Sequence, residues 1–205
     1  MPDELLGETL PVKTRETTEE ELRASTIGPL QPLTGKVRIV EYNPMWPRQF
    51  VVEAEKVRAA LGERALLIEH VGSTSVPDLA AKPILDILLV VADSADEAAY
   101  LPALEQAGYV LRIREPEWYE HRVLKGANPD VNMHVFTFGC EEIERMLLMR
   151  DWLRNHDDDH DLYECTKREL AQRDWKYVQN YADAKTEVVE AILARARAAS
   201  APGQP

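Results

Sequence analysis

The sequence predicts an α/β protein of the α+β type, in which helices flank a mixed β-sheet and the C-terminal part is helical. Two observations predict this class. Strand-like apolar runs alternate with helical patterns up to about residue 138, whereas every pattern from Cys140 onward is helical. With 205 residues, 45% of them hydrophobic, the chain is long enough for one domain with a sizeable core.

The first predicted elements are a short strand over residues 36–41 and a helix that follows it. Asn43 can cap this helix, and Pro44 suits its first turn because proline lacks the N–H that would stay unbonded there. Apolar residues then recur at steps of three and four as far as Gly62, where a glycine is expected to end the helix.

Two strands and a helix come next in the chain. Residues 65–71 predict one strand, and residues 84–91, apolar except for Asp86, predict a strand that is buried on both faces. Ser94 begins a capping box, so we expect a helix from there to Gly108.

The pattern then changes from strands to helices. Residues 109–114 predict a strand, and residues 120–125 and 131–138 flank turn-forming residues, which indicates a hairpin. The adjacent His121 and Arg122 should point to opposite faces of its first strand. Three helical runs follow, near residues 140–155, 159–172 and 174–197.

The two ends of the chain differ from this body in composition. Residues 1–34 are acidic and lack a sustained apolar face, so we expect a flexible extension before a folded domain at 35–197. Residues 198–205 predict a disordered tail. The N terminus shows neither the basic segment nor the apolar run of a secretory signal, and a cytoplasmic protein is expected.

Charge and cysteine content exclude several classes of function. Lysine and arginine number 24 against 36 acidic residues, a net charge of −12, which argues against general nucleic-acid binding and against a polybasic membrane surface. No apolar run is long enough for a transmembrane span. The two cysteines are too few for a disulfide framework.

The sequence at Gly72 and Ser73 has features of a phosphate site. A predicted strand ends there, glycine lets the backbone approach a ligand, and hydroxyl side chains follow. Twelve residues separate Ser73 from Asp86, a lone carboxylate in an apolar strand that needs a cation, a donor or a metal beside it. Alternatively, the glycine and serine form an ordinary turn, and Asp86 pairs with Lys82 or an arginine.

Gly-Ser followed at this interval by a strand aspartate resembles the nucleotidyltransferase (polymerase-beta-like) superfamily, and within it the chain resembles the GrpB family. The similarity covers about residues 36–196 and rests on residues 42–47, 68–77, 82–88, 132–135 and 150–154, on Tyr163 with Lys167, and on Tyr181 with Lys185. The resemblance implies a nucleotidyltransferase-like fold. Because some GrpB members are fused to dephospho-coenzyme A kinase, it also implies a link to that enzyme.

The chain departs from the superfamily at its metal site. Active members usually carry a second acid two residues after the first, and here Leu88 stands at that position. By chain order His134 takes the place of the third acid, so Asp86 and His134 are the candidate catalytic residues. The candidate metal ligands are Asp86, His70 and His134, a set that suits a divalent ion softer than magnesium. A divalent metal, magnesium or another, is the expected cofactor.

Three cations fall on the apolar stripes of the C-terminal helical runs, which is unexpected in so acidic a protein. They are Arg150, Lys167 and Lys185. They can converge on a phosphate, or each can extend to solvent or pair with an internal acid. The candidate phosphate- or nucleotide-binding residues are therefore Gly72, Ser73, Lys82, Arg150, Lys167 and Lys185.

Two functions fit these residues. The first is an enzyme that transfers a nucleotidyl or phosphoryl group to an acceptor. The second is a non-catalytic module that binds a nucleotide or phosphorylated small molecule and assists a coenzyme A pathway kinase. The absent second acid favours the binding module, whereas the retained lysine and Gly-Ser positions fit both.

Overall fold

The structure, a computed structural model, describes residues 16–200. They form a five-stranded mixed sheet in the order β1-β2-β5-β4-β3. β2 runs parallel to β5, and the other neighbouring pairs are antiparallel. This architecture confirms the predicted fold class. The strands are β1 (Leu67–Val71), β2 (Leu85–Val91), β3 (Val110–Glu115), β4 (His121–Gly126) and β5 (Val131–Thr137).

Helices pack on both faces of the sheet, and the chain is helical after β5, as predicted. None of the helices within residues 16–200 is long and apolar enough to cross a membrane. The α-helices are α1 (Glu19–Ser25), α2 (Trp46–Leu61), α3 (Glu97–Gln106), α4 (Glu141–Leu153), α5 (Asp157–Ala171), α6 (Val178–Asp183) and α7 (Thr186–Ser200).

The two faces of the sheet carry different cores because side chains alternate along each strand. On one face, Ile87 and Met133 belong to a core that α2 and α3 cover. On the other face, Leu88 and Phe136 pack against Ile143 of α4. Further apolar contacts join α4, α5 and α7 to the segment after β1. Strand register places Asp86 on this second face, between the sheet and the C-terminal helices.

Two predicted helix starts differ from the structure. The N-cap of α3 is Asp96 and not a capping box at Ser94, because the Ser94 hydroxyl bonds to that of Thr137. The N-cap of α2 is Met45 and not Asn43.

Two predicted elements differ in extent as well. Residues 36–41 do not form a strand, because Val40 makes only an isolated bridge to Ala81 and no neighbouring strand continues it. The third helical run divides into α6 and α7 at Ala184 and Lys185. The predicted hairpin is confirmed as β4 and β5.

The N-terminal segment contacts the body over its described residues. Residues 1–15 lie outside the described part of the chain, so a flexible extension at 1–34 stays a prediction, while residues 16–34 contact the body. Thr18 and Glu21 form a capping box that begins α1, and Leu22 of this helix is buried. The backbone N–H of Leu33 donates to the carbonyl of Lys176. Of the predicted tail, residues 198–200 are the last residues of α7, and 201–205 lie outside the described residues.

Candidate functional site

A tight turn after β1 brings Ser73 next to Asp86. Gly72 has a φ of 67°, which L side chains rarely adopt. A Cβ atom built on Gly72 would lie 2.3 Å from Oδ2 of Asp86. Glycine is therefore needed both for the backbone angle and for the close approach to the carboxylate. The single 3₁₀ turn of Ser73–Ser75 follows directly.

Asp86 lies in β2 between Val71 of β1 and Asn132 of β5. Nδ2 of Asn132 donates to Oδ1 of Asp86 at 2.7 Å, and Nε2 of His134 is 3.7 Å from the same oxygen. Burial raises the pKa of Asp86, but His134, the charge of Lys82 and the Asn132 donor lower it by more. The net pKa is below that of an ordinary aspartate, so Asp86 is an anion at neutral pH.

A hydrogen-bonded series of three side chains, His134, His121 and Glu115, ends within ion-pair distance of Asp86. Nδ1 of His134 is 3.1 Å from Nε2 of His121, and Nδ1 of His121 is 2.8 Å from Oε2 of Glu115. The two ring planes are within 7° of parallel. When Glu115 is ionised, His121 donates to it and accepts from His134, which leaves Nε2 of His134 facing Asp86. Burial lowers the pKa of His121 to about 4, so its ring is neutral near pH 7.

The ammonium group of Lys167 comes from α5 and lies at the same turn. Its Nζ donates to Oγ of Ser73 at 3.2 Å and to the carbonyl oxygen of Ala80. The Tyr163 ring centroid is 4.8 Å away. Burial, followed by the charge of Lys185, lowers the pKa of Lys167 to about 7.

Lys82 and Lys185 complete a group of three that we call the lysine cluster, with Lys167 as its third member. Both lie over the ring of Tyr181, with Nζ 5.7 and 4.9 Å from its centroid. Burial and the charge of Lys185 lower the pKa of Lys82 to about 8. Among residues 16–200, no carboxylate lies within ion-pair distance of any member of the cluster. The cluster therefore presents positive charge that the described part of the protein does not neutralise.

One predicted metal ligand, His70, lies elsewhere. His70 is on the opposite face of the sheet from Asp86 and His134, because it pairs with Ile87 and side chains alternate along a strand. Its Nε2 is 3.0 Å from Oγ1 of Thr74, and its ring stacks on Phe50. In the part of the chain that the structure describes, no three histidine, cysteine or acidic side chains are grouped to hold a metal ion. The divalent cofactor stays a prediction.

Arg150 already has partners in the protein. Its guanidinium donates to Oε2 of Glu69 at 2.7 Å, to the carbonyl of His70 and to both carboxylate oxygens of Asp151. This matches the alternative in which the arginine pairs with an internal acid. Arg150 therefore lies near the turn at Gly72 but is engaged by carboxylates, unlike the other predicted phosphate-binding residues, Gly72, Ser73, Lys82, Lys167 and Lys185.

Sequence reasoning did not assign roles to several residues of the site. His121 could be placed on one strand face but not beside His134, since that contact depends on the register between β4 and β5. Asn132 lies two residues before His134, and nothing in the local sequence indicates its hydrogen bond to Asp86. The remaining unassigned residues are Glu115, Lys125, which donates to Asn132, and the two rings of Tyr163 and Tyr181.

Comparison with known proteins decides the family. The sequence model described as GrpB protein matches residues 36–195, most of the chain. The chain belongs to the GrpB family. Its GrpB relatives include a UPF0157 protein from Halalkalibacterium halodurans, 56% identical over 88% of this chain and 93% of that protein. Another is a UPF0157 protein from Streptomyces coelicolor, 43% identical over 80% of this chain and 86% of that protein.

A solved GrpB structure and an enzyme are also similar to this chain. The crystal structure of the conserved protein GrpB from Enterococcus faecalis superposes with a TM-score of 0.69 at 33% identity, covering 78% of this chain and 96% of that one. A protein named dephospho-CoA kinase from Mycolicibacterium paratuberculosis is 30% identical over 73% of this chain but only 43% of its own length. The resemblance to GrpB is thus confirmed, whereas membership of the nucleotidyltransferase superfamily stays a prediction.

Proposed function

We propose that this GrpB protein binds a phosphorylated small molecule, such as a nucleotide, at the lysine cluster. The observation that carries the proposal is that Lys82, Lys167 and Lys185 approach one another beside Ser73 without a carboxylate partner among the described residues. Partly buried ammonium groups repel one another and lose hydration, so their arrangement is costly unless an anion binds.

The chemistry of the cluster favours a phosphoryl group over a single carboxylate. Three ammonium groups against the one carboxylate of Asp86 leave an excess of about two positive charges when all are protonated. A phosphate dianion balances this excess and offers several acceptor oxygens. The Ser73 hydroxyl adds a neutral partner for one of those oxygens.

Calorimetric titration of ATP, without divalent ions, tests the proposal. Replacing Lys185 by Met removes one charge from the cluster, and we expect ATP affinity to fall about tenfold or more. Lys36→Met is the matched control, because it removes the same charge from an exposed lysine that pairs with Asp174. Equal affinities in wild type and Lys185→Met would reject an anion site at the cluster, and so would an equal loss in both variants.

A second candidate function is transfer of a nucleotidyl or phosphoryl group. The arrangement that favours it is the hydrogen-bonded series His134, His121 and Glu115 beside Asp86, which suits a histidine acting as general acid or base. Asp86 and His134 would supply two ligands to a divalent ion, and the third predicted ligand, His70, is not beside them. Release of pyrophosphate from ATP with Mg²⁺ or Mn²⁺, lost in Asp86→Asn, would support transfer.

The alternative is that the protein assists a coenzyme A pathway kinase without catalysis. The similarity to proteins named dephospho-CoA kinase supports this, because the shared region covers less than half of those proteins. Binding of dephospho-coenzyme A that needs Lys185, without turnover of any nucleotide, is the result expected for this alternative.

A further inference from the structure

Within the lysine cluster, Lys167 contacts the hydroxyl group of Ser73. Lys167 is 2% exposed, and its Nζ lies 3.2 Å from Oγ of Ser73. Its other near groups are the neutral carbonyl oxygen of Ala80 and the ring of Tyr163. Ser73 itself is only partly buried, so a small molecule can reach its hydroxyl.

Burial and positive neighbours together favour the neutral form of Lys167. Lys185, from the break between α6 and α7, and Arg168 lower its pKa, whereas Glu164 on the same helix raises it by less than burial and Lys185 lower it. Glu164 is itself engaged by the backbone N–H of Ala80 and by Arg168. A buried ammonium whose hydrogen-bond partners are neutral oxygens loses its proton near neutral pH, and a neutral amine can accept the proton of a hydroxyl.

We propose that Ser73 is a nucleophile with Lys167 as its general base, and that Ser73 accepts a phosphoryl group from a phosphate ester or acyl phosphate bound at the lysine cluster. The proposal rests on the anion site proposed above and goes beyond it. Binding alone needs a charged lysine, whereas this step needs a lysine that can become neutral.

The step balances without a further reactant. An electron pair of Ser73 Oγ forms the bond to phosphorus, and the bond between phosphorus and the leaving oxygen breaks, with its electron pair going to the leaving group. The hydroxyl proton passes to Nζ of neutral Lys167. The resulting ammonium can return that proton to an alkoxide leaving group. Lys82 and Lys185 offset the charge on the phosphoryl oxygens.

Incubation of the full chain with acetyl phosphate tests the proposal directly. Peptide mass mapping should find one phosphate on Ser73 in the wild type and none on this peptide in Ser73→Ala. Ser75→Ala is the matched control and should react like the wild type, since Oγ of Ser75 donates to the carbonyl of Gly72 and does not contact Lys167. Lys167→Arg keeps the charge without an accessible neutral form, so its reaction should be about a hundredfold slower.

The pH dependence of the wild-type reaction gives a test that needs no variant. At acetyl phosphate concentrations far below saturation, where the rate reports the free protein, it should rise between about pH 6 and pH 8 as Lys167 loses its proton, and then level off. A rate that does not change over this range, phosphate on another serine, or a Lys167→Arg protein as reactive as the wild type would overturn the proposal.

ATP titrations of the same proteins separate this proposal from the function on which it rests. If the wild type binds ATP in a Lys185-dependent way but gains no phosphate on Ser73 from acetyl phosphate, the role of Ser73 as a nucleophile is overturned and the binding function stands. If the wild type neither binds ATP nor gains phosphate, both proposals are overturned.

Discussion

Gly72 meets two geometric requirements, a positive φ and a close approach to Asp86, and substitution of Gly72 and of a control glycine separates their energetic contributions. Its φ of 67° disfavours any side chain, and its missing Cβ leaves room for Asp86. Gly72→Ala should therefore lower the free energy of unfolding by about 2–4 kcal/mol, since backbone strain and displacement of Asp86 both contribute. Chemical denaturation measures the loss.

Gly62 provides the matched control for this prediction. It has a similar φ of 57°, and nothing lies within 4 Å of a Cβ built on it. Gly62→Ala should cost only the backbone term, about 1–2 kcal/mol. If both substitutions destabilise the protein equally, the contact between Gly72 and Asp86 has no energetic weight.

His121 is predicted to make the protein less stable in weak acid. Its pKa is about 4 in the folded protein and about 6.5 in an unfolded chain. Between these values the unfolded chain binds a proton that the native protein does not, so the free energy of unfolding falls as the pH falls from about 6.5 to 4. At pH 5 this contribution is about 1–2 kcal/mol.

Denaturation at pH 7 and pH 5 compares wild type with His121→Phe. The variant removes the titrating ring but keeps an aromatic group against Phe136. Its loss of stability between the two pH values should be smaller than that of the wild type, whatever its stability at pH 7. An identical change in both proteins would contradict the assignment of a neutral, buried His121.

At the scale of elements, the sequence predicted those strands that local composition determines. β2 and β5 were predictable because each is an apolar run of strand length. The turn-forming residues between β4 and β5 also indicated where β5 begins. The segment at 36–41 has the composition of a strand, but no neighbour pairs along it, and pairing is not a local property.

The candidate site was predictable where consecutive strands supply it and not where it depends on pairing with later elements. Gly72 and Ser73 follow β1 directly, and the antiparallel pairing of β1 with the next strand places Asp86 opposite Val71. The contact between His121 and His134 needs β4 and β5 to pair so that Val123 is opposite His134. The position of Lys185 depends on the break between α6 and α7, which the continuous apolar stripe did not indicate.

The helix α1 is expected to stabilise the domain because its apolar side chain is buried against the body. Leu22 is 8% exposed, and the backbone after α1 bridges to β3 through Thr26 and Ile113. Leu22→Ala should lower the free energy of unfolding by about 2–3 kcal/mol, measured by chemical denaturation. Glu20→Ala, at an exposed position of the same helix, should change it little. No effect of Leu22→Ala would indicate the flexible extension that the composition of this segment suggested.

At the scale of the whole molecule, the lysine cluster stands out against a net charge of −12. The excess of acidic residues does not neutralise the cluster at short range, since no carboxylate among residues 16–200 forms an ion pair with it. Burial and the charge of Lys185 instead lower the pKa values of Lys82 and Lys167. Binding of an anion should reverse this shift, so binding and proton uptake are coupled.

This coupling predicts how ATP affinity depends on pH. The pKa values of Lys82 and Lys167 are about 8 and 7 in the free protein. Both lysines lose charge as the pH rises from about 7 to 9, whereas ATP keeps its full charge. ATP affinity should therefore fall over this range, because the bound state needs protons that the free protein no longer carries.

Proton uptake on ATP binding is the most direct measurement of the central claim that the lysine cluster binds a phosphorylated ligand. Calorimetric titration at pH 8 in two buffers with different heats of ionisation measures it. The wild type should take up protons as it binds ATP, and the Lys82→Met/Lys167→Met double variant should bind more weakly and take up none. The claim would be contradicted if the wild type binds ATP without taking up protons and the double variant binds ATP with the same affinity.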